Sequence, residues 1–165
     1  MTLFERVPQE VNRILAKYPP ERRQSAVMPL LHLVQLEKGL VDRHAMREIA
    51  DLTGITETDV AEIVGFYTLY HDAPAGKLRL QVCNDISCAL RGADEFLAQL
   101  CTRLGIQPGG TTPDGLITVE AVMCLAACDK APMFQVQGPE GISYHENMTV
   151  DRTLEFIEAA RKEVK

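Results

Sequence analysis

Four of the five cysteines in this 165-residue chain stand in two pairs, and each pair opens where a strand-like run closes. Cys83 ends Leu78-Arg79-Leu80-Gln81-Val82-Cys83, in which apolar and polar residues alternate as on a half-buried strand. Cys88 follows in Cys-Asn-Asp-Ile-Ser-Cys. Ile117 to Met123 forms a second strand-like run, and directly after it comes Cys124-Leu-Ala-Ala-Cys128. If the two strands are neighbours in one sheet, all four sulfurs meet at one rim.

Two irons bridged by two sulfides need four thiolates in such a rim, with backbone amides nearby to hydrogen-bond the sulfurs. The segments Asn84–Ser87 and Leu125–Ala127 can supply those amides. Cysteine is also a common buried small hydrophobe, but that does not account for two pairs placed alike. Structural zinc usually takes Cys-x-x-Cys knuckles, and a thiol-exchange site takes Cys-x-x-Cys at a helix start. Neither pair has that spacing, which favours an iron–sulfur cluster and leaves zinc as the nearest rival. Cys101 lies mid-helix between Leu100 and Leu104 and is expected to pack rather than ligate.

The period of the pattern changes along the chain. Helices are expected over Pro8–Tyr18, Ser25–Lys38 and His44–Thr53, with Val27, Leu30, Leu31 and Val34 on one face of the second. A fourth starts at Thr56, with Asp59 completing a capping box, and runs to about Tyr70. Asp72-Ala73-Pro74-Ala75-Gly76 is a break, placing a helical part at residues 1–76 and a second part at 77–165. The second part is expected as a strand at Leu78–Cys83, a helix at Leu90–Leu104, a strand at Ile117–Met123, short strands at Met133–Val136 and Ile142–Tyr144, and a helix at Val150–Val164. That order is an α/β arrangement of thioredoxin-like size.

A net charge of −6 opposes sequence-independent nucleic-acid binding, which requires a basic surface. No apolar run reaches membrane-spanning length, and Met1–Lys17 lacks a signal-peptide pattern. The expected compartment is a reducing bacterial cytoplasm, where cysteines serve as thiols or metal ligands.

The motifs resemble those of the thioredoxin-like 2Fe–2S subunit family of NADH-quinone oxidoreductase, respiratory complex I. Relatives occur in NAD-reducing hydrogenases and NAD-dependent formate dehydrogenases. The resemblance is carried by Lys17-Tyr18-Pro19, Met28-Pro29-Leu30-Leu31, Gly65-Phe66-Tyr67, Leu80-Gln81-Val82-Cys83, Thr112-Pro113-Asp114-Gly115, Cys124-Leu125-Ala126-Ala127-Cys128 and Ala131-Pro132. It implies an N-terminal helical bundle, then a thioredoxin-like ferredoxin domain with a 2Fe–2S cluster on Cys83, Cys88, Cys124 and Cys128. It also implies a flavoprotein partner holding FMN, NADH and a 4Fe–4S cluster, within the peripheral arm of complex I on the cytoplasmic side of the inner membrane. The other readings are the equivalent subunit of a formate dehydrogenase or hydrogenase, and a stand-alone thioredoxin-like ferredoxin. Three positions depart from the family pattern: Ala126 stands where Gly is usual, Leu40 where Trp is frequent, and Gln137 where Asn often follows Val.

Other features weigh less. Ile49 to Val60 has helix-turn-helix form, but Glu57, Asp59 and Glu62 on its second helix would repel phosphate. Phe66, Tyr67 and Tyr70 are expected as an internal seam or as an aromatic anchor for the partner. His32, His44, His71 and His145 are scattered, and Asp85 and Asp129 are expected to be solvated near the cysteines. No glycine-rich nucleotide fingerprint occurs, so NADH is not expected on this chain.

Overall fold

The computed structural model describes residues 3–163. The expected end of the last helix at Val164 lies outside them. The chain divides into two units, one ending at Pro74 and the next beginning at Ala75.

Among the described residues, five helices make the first unit: α1 (Leu3–Arg6), α2 (Pro8–Leu15), α3 (Val27–Lys38), α4 (Arg43–Thr53) and α5 (Glu57–Phe66), with a 3-10 segment at Pro20–Ala26. The apolar stripe foreseen on α3 is the one that is buried: Val27, Leu30, Leu31 and Val34 join Val11, Ile49 and Val60 in one core. Each such side chain stabilises the unit by about 1.5–3 kcal/mol on burial. Helix ends follow local chemistry. Gly39 closes α3 at φ +78° with its N–H on Gln35 O at 2.8 Å. Asp42 caps α4 by accepting from Ala45 N, and the Thr56–Asp59 capping box opens α5.

Three of the four expected helices are shorter in the structure, the second beginning at Val27 rather than Ser25. The first stops at Leu15 rather than Tyr18. The fourth stops at Phe66 because the chain beyond it is held in another form. The Gln35 carboxamide donates to Leu69 O at 2.6 Å and accepts from His71 N at 2.8 Å, standing in for a neighbouring strand. His71 O in turn accepts from Val41 N at 2.7 Å.

The second unit contains β1 (Leu78–Cys83), α6 (Ile86–Ala89), α7 (Ala93–Leu104), β2 (Ile117–Val122), β3 (Phe134–Gly138), β4 (Gly141–His145) and α8 (Val150–Glu163). The strands form a single sheet in the order β2-β1-β3-β4. β1 and β2 are parallel, joined through α7, and pair from Leu78–Ile117 to Cys83–Val122. β3 runs antiparallel to β1 and returns in a hairpin as β4. The helix expected from Leu90 begins at Ala93, because Gly92 sits at φ +90° and breaks the run after the short α6.

Phe96, Leu97 and Leu100 of α7 and Ile157 and Ala160 of α8 pack on Leu80, Val82, Ile117, Val119 and Phe134 of the sheet. The polar positions of β1 are more buried than alternation suggests: Gln81 is 2% exposed. Its amide donates to Glu120 at 3.0 Å and accepts from Gln135, while Arg79 pairs with Glu120. This polar row across three strands is satisfied, as burial requires.

Candidate metal centre

Parallel pairing of β1 and β2 puts both cysteine loops at the same edge of the sheet. Cys83 closes β1, with its N–H on Met133 O at 3.4 Å, and Asn84 N donates across to Val122 O at 3.1 Å. Asp85 then caps α6, accepting Ile86 N at 2.8 Å on its side chain and Cys88 N at 2.8 Å on its carbonyl. This one-turn helix swings Cys88 back over Cys83. Both thiols are buried, and they share a small cluster with Ala93, Ala131 and Met133, flanked by Leu125 and Ala127.

On the second loop, Cys128 opens a 3-10 turn, Cys128–Lys130, and is half-buried. Burial pushes the Cys88 thiol up to about 12, reinforced first by the facing Cys83 and then by Cys128. Cys88 therefore faces both Cys83 and Cys128. Cys124 lies on the loop beyond Val122 and is exposed, its Sγ accepting the Ala126 N–H at 3.4 Å. Ala126 adopts φ +58° to make that turn.

Among the described residues, no three or more His, Cys, Asp or Glu side chains are gathered as a cage for a single metal ion. A binuclear cluster asks for something different: two thiolates on each of two irons, spread around bridging sulfides. The donor set fits that group in kind and number, and one amide is already turned to a sulfur. The Cys88 thiol, held protonated by burial and by the facing Cys83, gives up its proton more readily where a cationic metal compensates the charge.

Other candidates stand apart. Cys101 is buried in the main core of the second unit with Leu100 and Phe96. His145 stacks on Phe134 at 5.0 Å and meets Phe156 at a tilt at 4.6 Å, and burial there lowers its affinity for a proton. Asp85 is a helix cap rather than simply solvated, whereas Asp129 is exposed beside Lys130. Tyr70 hydroxyl donates to Met28 O, while Phe66 and Tyr67 are exposed. Sequence reasoning missed Arg91, whose side chain reaches the second cysteine loop at Ala131 O. An isolated arginine carries no pattern that would single it out.

Residues 11–161 match the family model for the thioredoxin-like [2Fe-2S] ferredoxin. The chain belongs to that family. It is 46% identical to NADH-quinone oxidoreductase subunit 2 of Thermus thermophilus over 136 residues, covering 82% of this chain and 75% of the relative. It is 40% identical to an NADH-quinone oxidoreductase subunit of Rhizobium meliloti over 153 residues, covering 93% and 88%. Among solved structures, a chain of an NAD+-reducing [NiFe]-hydrogenase superposes with a TM-score of 0.66 at 20% identity, over 82% of this chain. This chain spans 23% of the hydrogenase chain's length, and at that identity the likeness is one of fold. The resemblance carried by the cysteine motifs and by Thr112-Pro113-Asp114-Gly115 is thus a family relationship over most of the chain.

Proposed function

We propose that this chain is the 2Fe–2S electron-carrier subunit of an NADH-quinone oxidoreductase, with the cluster on Cys83, Cys88, Cys124 and Cys128. The observation that carries the reading is the convergence of two cysteine loops at the joined ends of β1 and β2, in a member of the 2Fe–2S family. Bound there, the cluster would accept and return single electrons beside a flavin that takes two from hydride.

The chain's own residues do the remaining work. Cys83 and Cys88 are fixed by the strand end and the Asp85 cap, and Ala93, Ala131 and Met133 keep water from their sulfurs. Residues 1–76 form the helical part and 77–165 the cluster domain. FMN, NADH and a 4Fe–4S cluster belong to a flavoprotein partner in the peripheral arm. Ile86, Leu90 and Met123, at 76%, 84% and 75% exposure, lie on or next to the cysteine loops and suit a protein partner better than water. No described helix is long and apolar enough to cross a membrane. The proposed place is the cytoplasmic side of the inner membrane, reached through the assembled complex.

Anaerobic purification with iron and acid-labile sulfide counted tests the assignment. About two of each per chain, visible absorption that bleaches with dithionite, and a spin-half EPR signal are expected. Cys→Ser at 83, 88, 124 or 128 should abolish that signal, and Cys101→Ala should leave it. A colourless protein holding one zinc would end the electron-transfer reading.

A further inference from the structure

Three consecutive carbonyls of the second cysteine loop are held by donors from outside it. Lys130 O accepts Asn147 N–H at 2.7 Å, and Pro132 O accepts Met148 N–H at 2.8 Å. Ala131 O, between them, takes a side chain instead: Arg91 Nε–H at 3.1 Å. Arg91 reaches over from the first cysteine loop. Its backbone N–H donates to Cys88 O at 3.0 Å, closing the turn after α6. Ala131 makes the matching return on the other loop, its N–H donating to Cys128 O at 3.5 Å.

Arg91 and Ala131 therefore each stand three residues beyond the second cysteine of a pair. Together they close a continuous path from Cys88 O through Arg91 and Ala131 to Cys128 O. Ala131 is 3% exposed, so removal of the arginine leaves a buried carbonyl without its donor. The guanidinium also suits the task, since its planar nitrogens hold a fixed direction that a flexible ammonium does not.

We propose that Arg91 is a positioning residue that straps the Cys88 loop to the Cys128 loop, fixing the spacing of one thiol from each pair before and after metal binds. Its consequence for iron retention rests on the proposed cluster assignment; the strap itself does not. The other thiols supply internal references. Cys124 is exposed already, and Cys101 lies in the main core and reports general loosening.

The test compares the metal-free full-length protein with Arg91→Met, which keeps an unbranched stem and loses the donor. Alkylation by iodoacetamide, followed site by site by mass spectrometry, should accelerate about fivefold at Cys88 and Cys128, the size set by one hydrogen bond. Cys124 and Cys101 should keep wild-type rates, and Arg91→Lys should fall between. After reconstitution, Arg91→Met should lose its visible absorption to EDTA several-fold faster than wild type. Unchanged rates at Cys88 and Cys128, or acceleration of Cys101 in parallel with them, would overturn the strap. A wild-type chain that takes up no iron would instead defeat the proposed function, with the alkylation rates still deciding on Arg91.

Discussion

At the scale of single residues, Ala126 is the most instructive position. It holds φ +58°, where a β-carbon crowds the neighbouring carbonyl and glycine is at ease. The same turn aims its N–H at Cys124 Sγ, so the conformation is required by what the loop does with sulfur. Ala126→Gly should relieve that crowding. Glycine also adds freedom to the unfolded chain, so the net gain is up to about 1 kcal/mol. Thermal unfolding monitored by circular dichroism should show an unchanged or slightly raised Tm. A fall of several degrees would mean that the alanine methyl makes a packing contribution larger than its backbone cost. Glycine in the family pattern marks this position, but the need for a left-handed residue becomes visible only once the backbone is built.

Among the elements, the turn before β2 explains why Thr112-Pro113-Asp114-Gly115 is so distinctive. Thr112 Oγ1 donates to Asp114 and accepts Ile117 N–H at 3.1 Å. Asp114 also accepts Leu116 N–H at 3.1 Å and pairs with Arg161 of α8 at 2.8 Å. Gly115 takes φ +69°, and its carbonyl receives Lys77 N–H at the start of β1. The motif thus ties together the edges of both cysteine-bearing strands and contributes no ligand. The Thr112 hydroxyl, then the Leu116 amide and Arg161, hold the Asp114 carboxyl at about 2, below the usual 3.8. A lowered value in the folded state means stability that is present above 3.8 and is lost as pH falls toward 2. Asp114→Asn should cost about 1 kcal/mol at neutral pH, a figure kept small because the side chain is 40% exposed. Urea unfolding at neutral pH and at pH near 2 should show the difference from wild type closing in acid. A gap that persists in acid would assign the loss to shape rather than to charge.

For the molecule as a whole, the distribution of exposed apolar groups has consequences for assembly. Ile86, Leu90 and Met123 are exposed next to the cysteines of the two loops, in a chain whose net charge is −6. Leu90, at 84% exposure, packs little of its surface in the chain itself, so a change there should spare folding. Leu90→Asp should leave Tm within a degree or two of wild type and weaken capture of the proposed flavoprotein partner by roughly tenfold, the scale of a buried interface anchor. Co-purification from a strain expressing both proteins measures this. Full recovery of the partner with the variant would place the docking surface elsewhere. The acidic helix pair α4 and α5 has the outline of a DNA reader, yet Arg47 is paired with Glu57 and Asp59 is committed to the Thr56 cap. Neither leaves a basic face for phosphate.

Much of this architecture is legible in the residue order because it rests on local periods. The stripe Val27, Leu30, Leu31 and Val34 fixes a helix face, the alternation up to Cys83 fixes a strand, and the Thr56–Asp59 box fixes a helix start; each depends on neighbours within a turn or two. The two cysteine pairs and their place after strands are determined the same way. Contacts distant in sequence decided the rest. Gln35 ends α5 by bonding Leu69 and His71, more than thirty residues away. Gln81 is buried because Glu120 and Gln135 arrive beside it on other strands. Cys88 faces Cys83 and Cys128 while Cys124 stays exposed, and Arg91 meets Ala131 across the gap between two loops. Spacing along a chain specifies which groups recur on one face of one element. Which groups then meet depends on how the sheet closes, and that is settled by tertiary packing.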